Sequence, residues 1–164
     1  DRVIAVVKAF STCVGEGPFV TLMEPEEADQ LRKIAKEYGA ATGRPRTIGH
    51  FDAVATRYGV KLQGATEVAL TKLDSLTGRK VLKLCTHYQF EDKIFEDFPI
   101  NPILEQSKPI YIELPGWDED ISKVRRFEDL PKNAQNYVIE IEKRIECPIK
   151  YISVGPEREA LITR

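Results

Sequence analysis

Glu67-Val68-Ala69-Leu70-Thr71-Lys72-Leu73-Asp74 is the stretch on which the fold turns. Its apolar and β-branched residues read as a strand over Glu67 to Leu73 that leads to a polar tip, Thr71-Lys72-Leu73-Asp74, the position where α/β proteins place ligand groups. Upstream, Val3 to Phe10 is apolar and β-rich and reads as a buried strand entering the glycine loop Cys13-Val14-Gly15-Glu16-Gly17-Pro18. Pro25 opens a first helix, with Glu26 and Glu27 at its positive end, a stripe of Ala28, Leu31, Ala35 and Tyr38, and Gly39 as its stop. The loop Ala40 to Gly49 and a second helical stretch, Phe51 to Leu62, fill the gap before Glu67. Downstream, Arg79 to Phe90 alternates as a strand and pairs across Glu91-Asp92 with Lys93 to Ile100, an arm that Pro99 confines to an edge or a loop. Ile110 to Leu114 is a short strand closed by Pro115-Gly116. Pro131 starts a helix striped by Ala134, Tyr137, Val138, Ile141 and Ile145, and Ile149 to Val154 is a buried strand ending at Gly155-Pro156. This alternation gives the α/β class, a mixed sheet with flanking helices and an antiparallel hairpin.

The chain has 164 residues, one domain's worth, with 42% apolar and 30% charged composition. Its 24 basic and 26 acidic side chains leave a net charge of −2, which excludes a general nucleic-acid or polybasic membrane binder and makes any phosphate site local. Val3 to Val7, the longest apolar run near the start, falls far short of the roughly 20 residues that span a bilayer. No signal-peptide pattern precedes it, so a soluble cytoplasmic protein is expected. Cys13, Cys85 and Cys147 lack Cys-x-x-Cys spacing and read as reduced, structural thiols. His50 and His87 are too far apart to suggest a metal site, and Glu91, four residues after His87, follows it along a strand and shares no helix face with it. Asp1 leads directly into an apolar run without Met, which reads as a cut from something longer.

Three constellations carry chemistry. The first is Thr71-Lys72-Leu73-Asp74. A carboxylate offers two parallel acceptors that match the ring N1–H and exocyclic amine of guanine, adenine lacks that donor pair, and a lysine stem can lie along the base. The tetrapeptide resembles the Asn-Lys-x-Asp guanine element of GTP-binding proteins, with Thr in place of Asn. The alternative is a strand-end Asp capping the turn at Ser75 beside an exposed Lys. The second is Ala40-Ala41-Thr42-Gly43-Arg44-Pro45-Arg46-Thr47-Ile48-Gly49, in which a mobile glycine loop presents two guanidinium forks suited to carboxylates or phosphates; a solvated basic turn is the competing reading. The third is the pair of glycine corners, Ser153-Val154-Gly155-Pro156 and Cys13 to Pro18, where either backbone could approach the face of a flat ligand or simply turn. None of the ten glycines is followed by Lys, so no Gly-x-x-x-x-Gly-Lys-Ser/Thr phosphate cradle exists here.

Lys8-Ala9-Phe10-Ser11-Thr12, Val14-Gly15-Glu16-Gly17-Pro18-Phe19, Tyr38-Gly39-Ala40, Thr42-Gly43-Arg44, Asp52-Ala53-Val54-Ala55, Thr71-Lys72-Leu73-Asp74, Leu114-Pro115-Gly116-Trp117, Glu128-Asp129-Leu130-Pro131 and Gly155-Pro156 occur in the order found in adenylosuccinate synthetases, and the chain resembles that family over nearly its whole length. The resemblance is to the C-terminal part of the family's enzyme and implies that residues 1–164 belong to a larger P-loop-NTPase-like domain. It implies a homodimeric ligase that condenses IMP with L-aspartate, using GTP and Mg2+, through a 6-phosphoryl-IMP intermediate. Residue by residue, it implies that Lys72, Leu73, Asp74, Ser153, Val154 and Gly155 hold the guanine, with Arg46 linking to GTP. Val14 and Arg44 would contact IMP, and Ala40, Ala41, Thr42, Gly43 and Arg44 would close on aspartate. The catalytic residues, phosphate loop and magnesium ligands would lie upstream, leaving this segment inactive alone.

The chain departs from the family pattern at four places. Ala41 stands where a second Thr is common, Pro45 where a third Arg is, Leu22 where an acidic residue is, and His50 where a Trp is; His50 is expected to be a half-exposed polar substitute. The guanine element is untouched. The alternative function is a non-catalytic guanine-nucleotide-binding or interaction module.

Overall fold

The computed structural model describes all residues from Asp1 to Arg164. In chain order it contains β1 (Ile4–Lys8), β2 (Ser11–Cys13), α1 (Pro25–Ala35), β3 (Thr47–Gly49), β4 (Phe51–Asp52), α2 (Ala53–Gln63), β5 (Glu67–Thr71), β6 (Val81–Phe90), β7 (Lys93–Phe95), α3 (Asn101–Leu104), β8 (Lys108–Pro115), α4 (Lys132–Ile145), β9 (Ile149–Ser153) and β10 (Leu161–Thr163). Two four-stranded sheets and a two-stranded ribbon result. The first sheet runs β1-β5-β9-β10, parallel except for β10, and the second gathers β4, β7 and β8 around β6. The expected mixed α/β class with flanking helices is what forms, and the hairpin closes across Glu91-Asp92 with Phe90 opposite Lys93.

Helix α4 shows why the first sheet is covered. Ala134, Tyr137, Val138, Ile141 and Ile145 form one buried stripe, and the Tyr137 hydroxyl donates to the Ala9 carbonyl at 2.8 Å. That bond satisfies a hydroxyl that would otherwise be costly to bury. Helix α2 packs beside α4 and is capped by Asp52, whose carboxylate accepts from the Ala55 N–H at 3.0 Å and from the Tyr88 hydroxyl at 2.5 Å. No helix is long and apolar enough to cross a membrane.

Several boundaries differ from the sequence reading. Val3 to Phe10 is not one buried strand. It holds β1 and then a bend at Ala9 and Phe10 ahead of β2, and β1 is an edge with Val6 73% exposed, because only β5 pairs with it. Helix α1 stops at Ala35 and not at Gly39: Lys36 turns left-handed (φ 53°) and Glu37 donates back to the Arg32 carbonyl, so Tyr38 leaves the helical stripe. Helix α2 starts at Ala53, since Phe51 and Asp52 pair in parallel with Leu84 and Cys85. The presumed loop up to Gly49 includes β3, paired with β2. The strand at Glu67 ends at Thr71, two residues early. His50 is buried and not half-exposed; its ring meets Tyr111 edge-on at 5.2 Å, and burial lowers its pKa. Cys85 and Cys147 are buried, Cys13 is partly exposed, and all three are free.

Candidate functional site

The site begins where β5 stops. Lys72 takes a left-handed backbone (φ 62°), which costs a non-glycine residue on the order of 1–3 kcal/mol unless its surroundings hold it. They do hold it: the Lys72 Nζ donates to the Ala35 carbonyl at 2.5 Å and lies 2.8 Å from Glu37 Oε1. The turn sends Leu73 into the core at 0% exposure and places Asp74 in a 310 turn over Leu73–Leu76. The Ser75 N–H donates to the Lys72 carbonyl, and no side chain caps the turn. Asp74 is therefore not the capping residue of the alternative reading. Burial raises its pKa, and the Lys72 charge opposes that shift.

A cavity of about 480 Å3 opens between the end of α1 and the carboxyl ends of β5 and β9, walled by Lys72, Asp74, Ser75, Ser153, Gly155 and Pro156, with Ile34 to Lys36 on the helix side. The Ser153 hydroxyl donates to the Gly155 carbonyl at 2.9 Å. A Cβ on Gly155 would come within 3.0 Å of the Ala160 Cβ, so this corner is packed from behind. Of the residues expected at the base, Lys72, Asp74, Ser153 and Gly155 share this cavity. Leu73 and Val154 are fully buried and do not line it, so only their main chain could reach a ligand. Arg46 is not on its wall.

Arg46 instead meets Glu37. The Tyr38–Pro45 bridge closes the glycine loop at its base, the Gly39 N–H donates to the Arg44 carbonyl, and the Gly43 N–H donates to the Gly39 carbonyl, both at 2.8 Å. Ala40 to Arg44 form an exposed tip, with Gly43 at φ 66° and the Thr42 hydroxyl accepting from the Arg44 N–H. Just inside the tip, the Arg46 N–H donates to the Glu37 carbonyl at 3.1 Å, and its guanidinium lies 3.4 Å from Glu37 Oε2. Lys8 at the end of β1 reaches the same Oε2 at 2.8 Å and also donates to Thr12. Burial alone would raise the Glu37 pKa, but Lys72 and Lys8 outweigh it and hold the carboxyl below its ordinary value. Sequence reading passed over Glu37 and gave Lys8 no role in the site. The one local signal was a charged residue just after a helix stripe; their pairing spans 29 and 35 residues.

The Cys13 to Pro18 corner is elsewhere, with Val14 65% exposed, and does not share the cavity of Ser153 to Pro156. No group of three or more His, Cys, Asp or Glu side chains is placed to hold a metal ion.

Fold and cavity define an α/β protein with a cavity at the carboxyl ends of its parallel strands. The adenylosuccinate synthetase family model matches residues 1–162. Among curated relatives, adenylosuccinate synthetase from Caldanaerobacter subterraneus subsp. tengcongensis is 51% identical over 163 residues, 99% of this chain and 38% of the relative. Adenylosuccinate synthetase 2 from Pseudoalteromonas translucida is 52% identical over the whole chain and 38% of its own length. A solved structure of fully ligated adenylosuccinate synthetase from Plasmodium falciparum superposes with a TM-score of 0.95 at 36% identity, over 100% of this chain and 40% of that one. The chain belongs to the adenylosuccinate synthetase family. It spans about 38% of the length of the curated relatives it matches.

Proposed function

We propose that the chain is the C-terminal portion of an adenylosuccinate synthetase, a homodimeric cytoplasmic ligase of purine biosynthesis that joins IMP to L-aspartate with GTP and Mg2+. The observation that carries this reading is the meeting of Lys72, Asp74, Ser153 and Gly155, residues distant in sequence, on one strand-end cavity. Asp74, as a carboxylate, accepts the N1–H and C2 amine of guanine, and the Lys72 stem covers the base face. The corner at Ser153 to Gly155 supplies main-chain groups at close range, since Gly155 carries no side chain. The exposed tip, Ala40 to Arg44, takes the aspartate carboxylates, with Arg44 as the charged fork and Thr42 as a hydroxyl; Arg44 and Val14 also face IMP, and Arg46 links the loop to GTP.

On this reading the segment binds and orients, while proton transfer, phosphate cradling and metal binding belong to the part of the relatives' length that it does not span. Phosphoryl transfer depends on positioning and charge stabilisation, so residues 1–164 alone make no adenylosuccinate. The test is product absorbance with IMP, aspartate and GTP. Turnover by the full-length protein and none by the isolated chain is expected; a full-length protein that binds GTP without turnover would support a non-catalytic module instead.

A further inference from the structure

Glu37 is 2% exposed, yet three cations converge on its carboxylate from three separate elements: Lys8 from the end of β1, Lys72 from the left-handed turn after β5, and Arg46 from the base of the glycine loop. Burying one carboxylate among three cations is not an economical way to stabilise a fold, because each ion loses hydration that a hydrophobic contact would not need. The network is also incompletely satisfied. Lys72 divides its ammonium between Glu37 Oε1 at 2.8 Å and the Ala35 carbonyl at 2.5 Å, and Arg46 Nε is buried without an acceptor. A purely structural ion cluster would be expected to pair that group.

We propose that Glu37 is a positioning residue that fixes Lys72 against the base cavity and ties that cavity to the Arg44–Arg46 loop through Arg46. The inference rests on the base-site reading of Lys72 and Asp74. Its physical content is a shared anchor. Lys72 can lay its stem along a flat ligand only if its ammonium is held at the rear of the cavity, and Glu37 with the Ala35 carbonyl holds it there. Glu37 also receives the Arg46 N–H on its own main-chain carbonyl, so a shift of Glu37 moves the base of the loop that carries Arg44. Lys8, 2.8 Å from Glu37 Oε2, gives the anchor a cation that does not come from the loop.

The test uses the full-length protein and titrates GDP and ADP into wild type, Glu37→Gln and Glu37→Asp, with steady-state KM values for aspartate and IMP alongside. Glu37→Gln keeps the shape and removes the charge. Its GDP dissociation constant, corrected to folded protein, is expected to rise at least about tenfold, with a parallel rise in aspartate KM, because the charge that holds Lys72 and Arg46 is lost. Glu37→Asp keeps the charge and is expected to recover part of both losses. If Glu37→Gln does not fold, Glu37→Asp decides by the same two constants, which should both be worse than wild type. Unchanged GDP affinity in a folded variant overturns the proposal, as does a weakened GDP with unchanged aspartate KM, which would remove the link to the loop. A wild-type protein that does not prefer GDP to ADP overturns the base-site reading and this inference with it; a preference that survives Glu37→Gln overturns this inference alone.

Discussion

The Lys72 Nζ donates to the Ala35 carbonyl oxygen at 2.5 Å, so the end of α1 fixes the cation beside the strand-end cavity. Ala35 is the last helical residue, and its carbonyl belongs to the group that a helix terminus leaves without an internal partner. Lys72→Met keeps the aliphatic stem and removes the donor. It should cost about 1–2 kcal/mol of stability and weaken guanine nucleotides without favouring adenine ones. Thermal unfolding together with GDP and ADP titration checks both parts.

Glu37 gives stability a defined pH dependence. Its folded pKa is held below the ordinary glutamate value of 4.5, so the unfolded chain takes up the proton first as pH falls. The stability it contributes is fully present above the ordinary value and is lost as pH drops through that value toward the folded one. Between about pH 5 and pH 3, wild-type protein should lose more stability than Glu37→Gln, measured as the shift in urea midpoint. Parallel losses would mean that Glu37 does not carry the effect.

Gly116 is a packing position that does not line the strand-end cavity. A Cβ there would lie 1.7 Å from the Arg79 carbonyl oxygen, and the Gly116 N–H already donates to the Lys80 carbonyl at 2.9 Å. Gly116→Ala must separate β8 from the start of β6, at a cost of about 1–3 kcal/mol or more. Denaturant unfolding should show that loss, while GDP affinity per folded molecule stays at the wild-type value.

The larger elements were legible because their periodicity matched their burial. The α4 stripe, the hairpin at Glu91-Asp92 and the strand before Lys72 are all encoded within about 15 neighbouring residues. The ribbon of Ser11–Cys13 with Thr47–Gly49 and the terminal strand Leu161–Thr163 were not, since three residues show no period and their pairing comes from distant partners. The end of α1 was misplaced for a related reason. Tyr38 fits the stripe spacing, but Lys36 leaves the helix so that Glu37 can turn inward to Lys8 and Lys72. In the site, residue type pointed to Asp74 and Lys72, yet nothing local reveals that Leu73 and Val154 face the core or that a buried glutamate stands behind the lysine.

Arg44 tests the loop. Its side chain is exposed at the tip and free to take a carboxylate, whereas Arg46 is engaged by Glu37. In the full-length protein, Arg44→Leu should raise aspartate KM far more than GTP KM, since a charge-assisted hydrogen bond contributes about 1.5–3 kcal/mol. Equal losses for aspartate, IMP and GTP would point to a damaged fold and remove Arg44 from the aspartate site.

Asp74 is proposed to read the base. Its carboxylate offers only acceptors, is not spent on capping the Leu73–Leu76 turn, and lines the strand-end cavity beside Lys72. Asparagine at that position presents one acceptor and one donor, which suits the N1–H and C2 carbonyl of xanthine. The decisive measurement is kcat/KM for GTP, XTP and ATP on full-length wild type and Asp74→Asn. Use of GTP should fall by about 1–3 kcal/mol in transition-state terms, and use of XTP relative to GTP should rise, with ATP poor for both proteins. An unchanged GTP to XTP ratio in a folded Asp74→Asn protein would contradict the account.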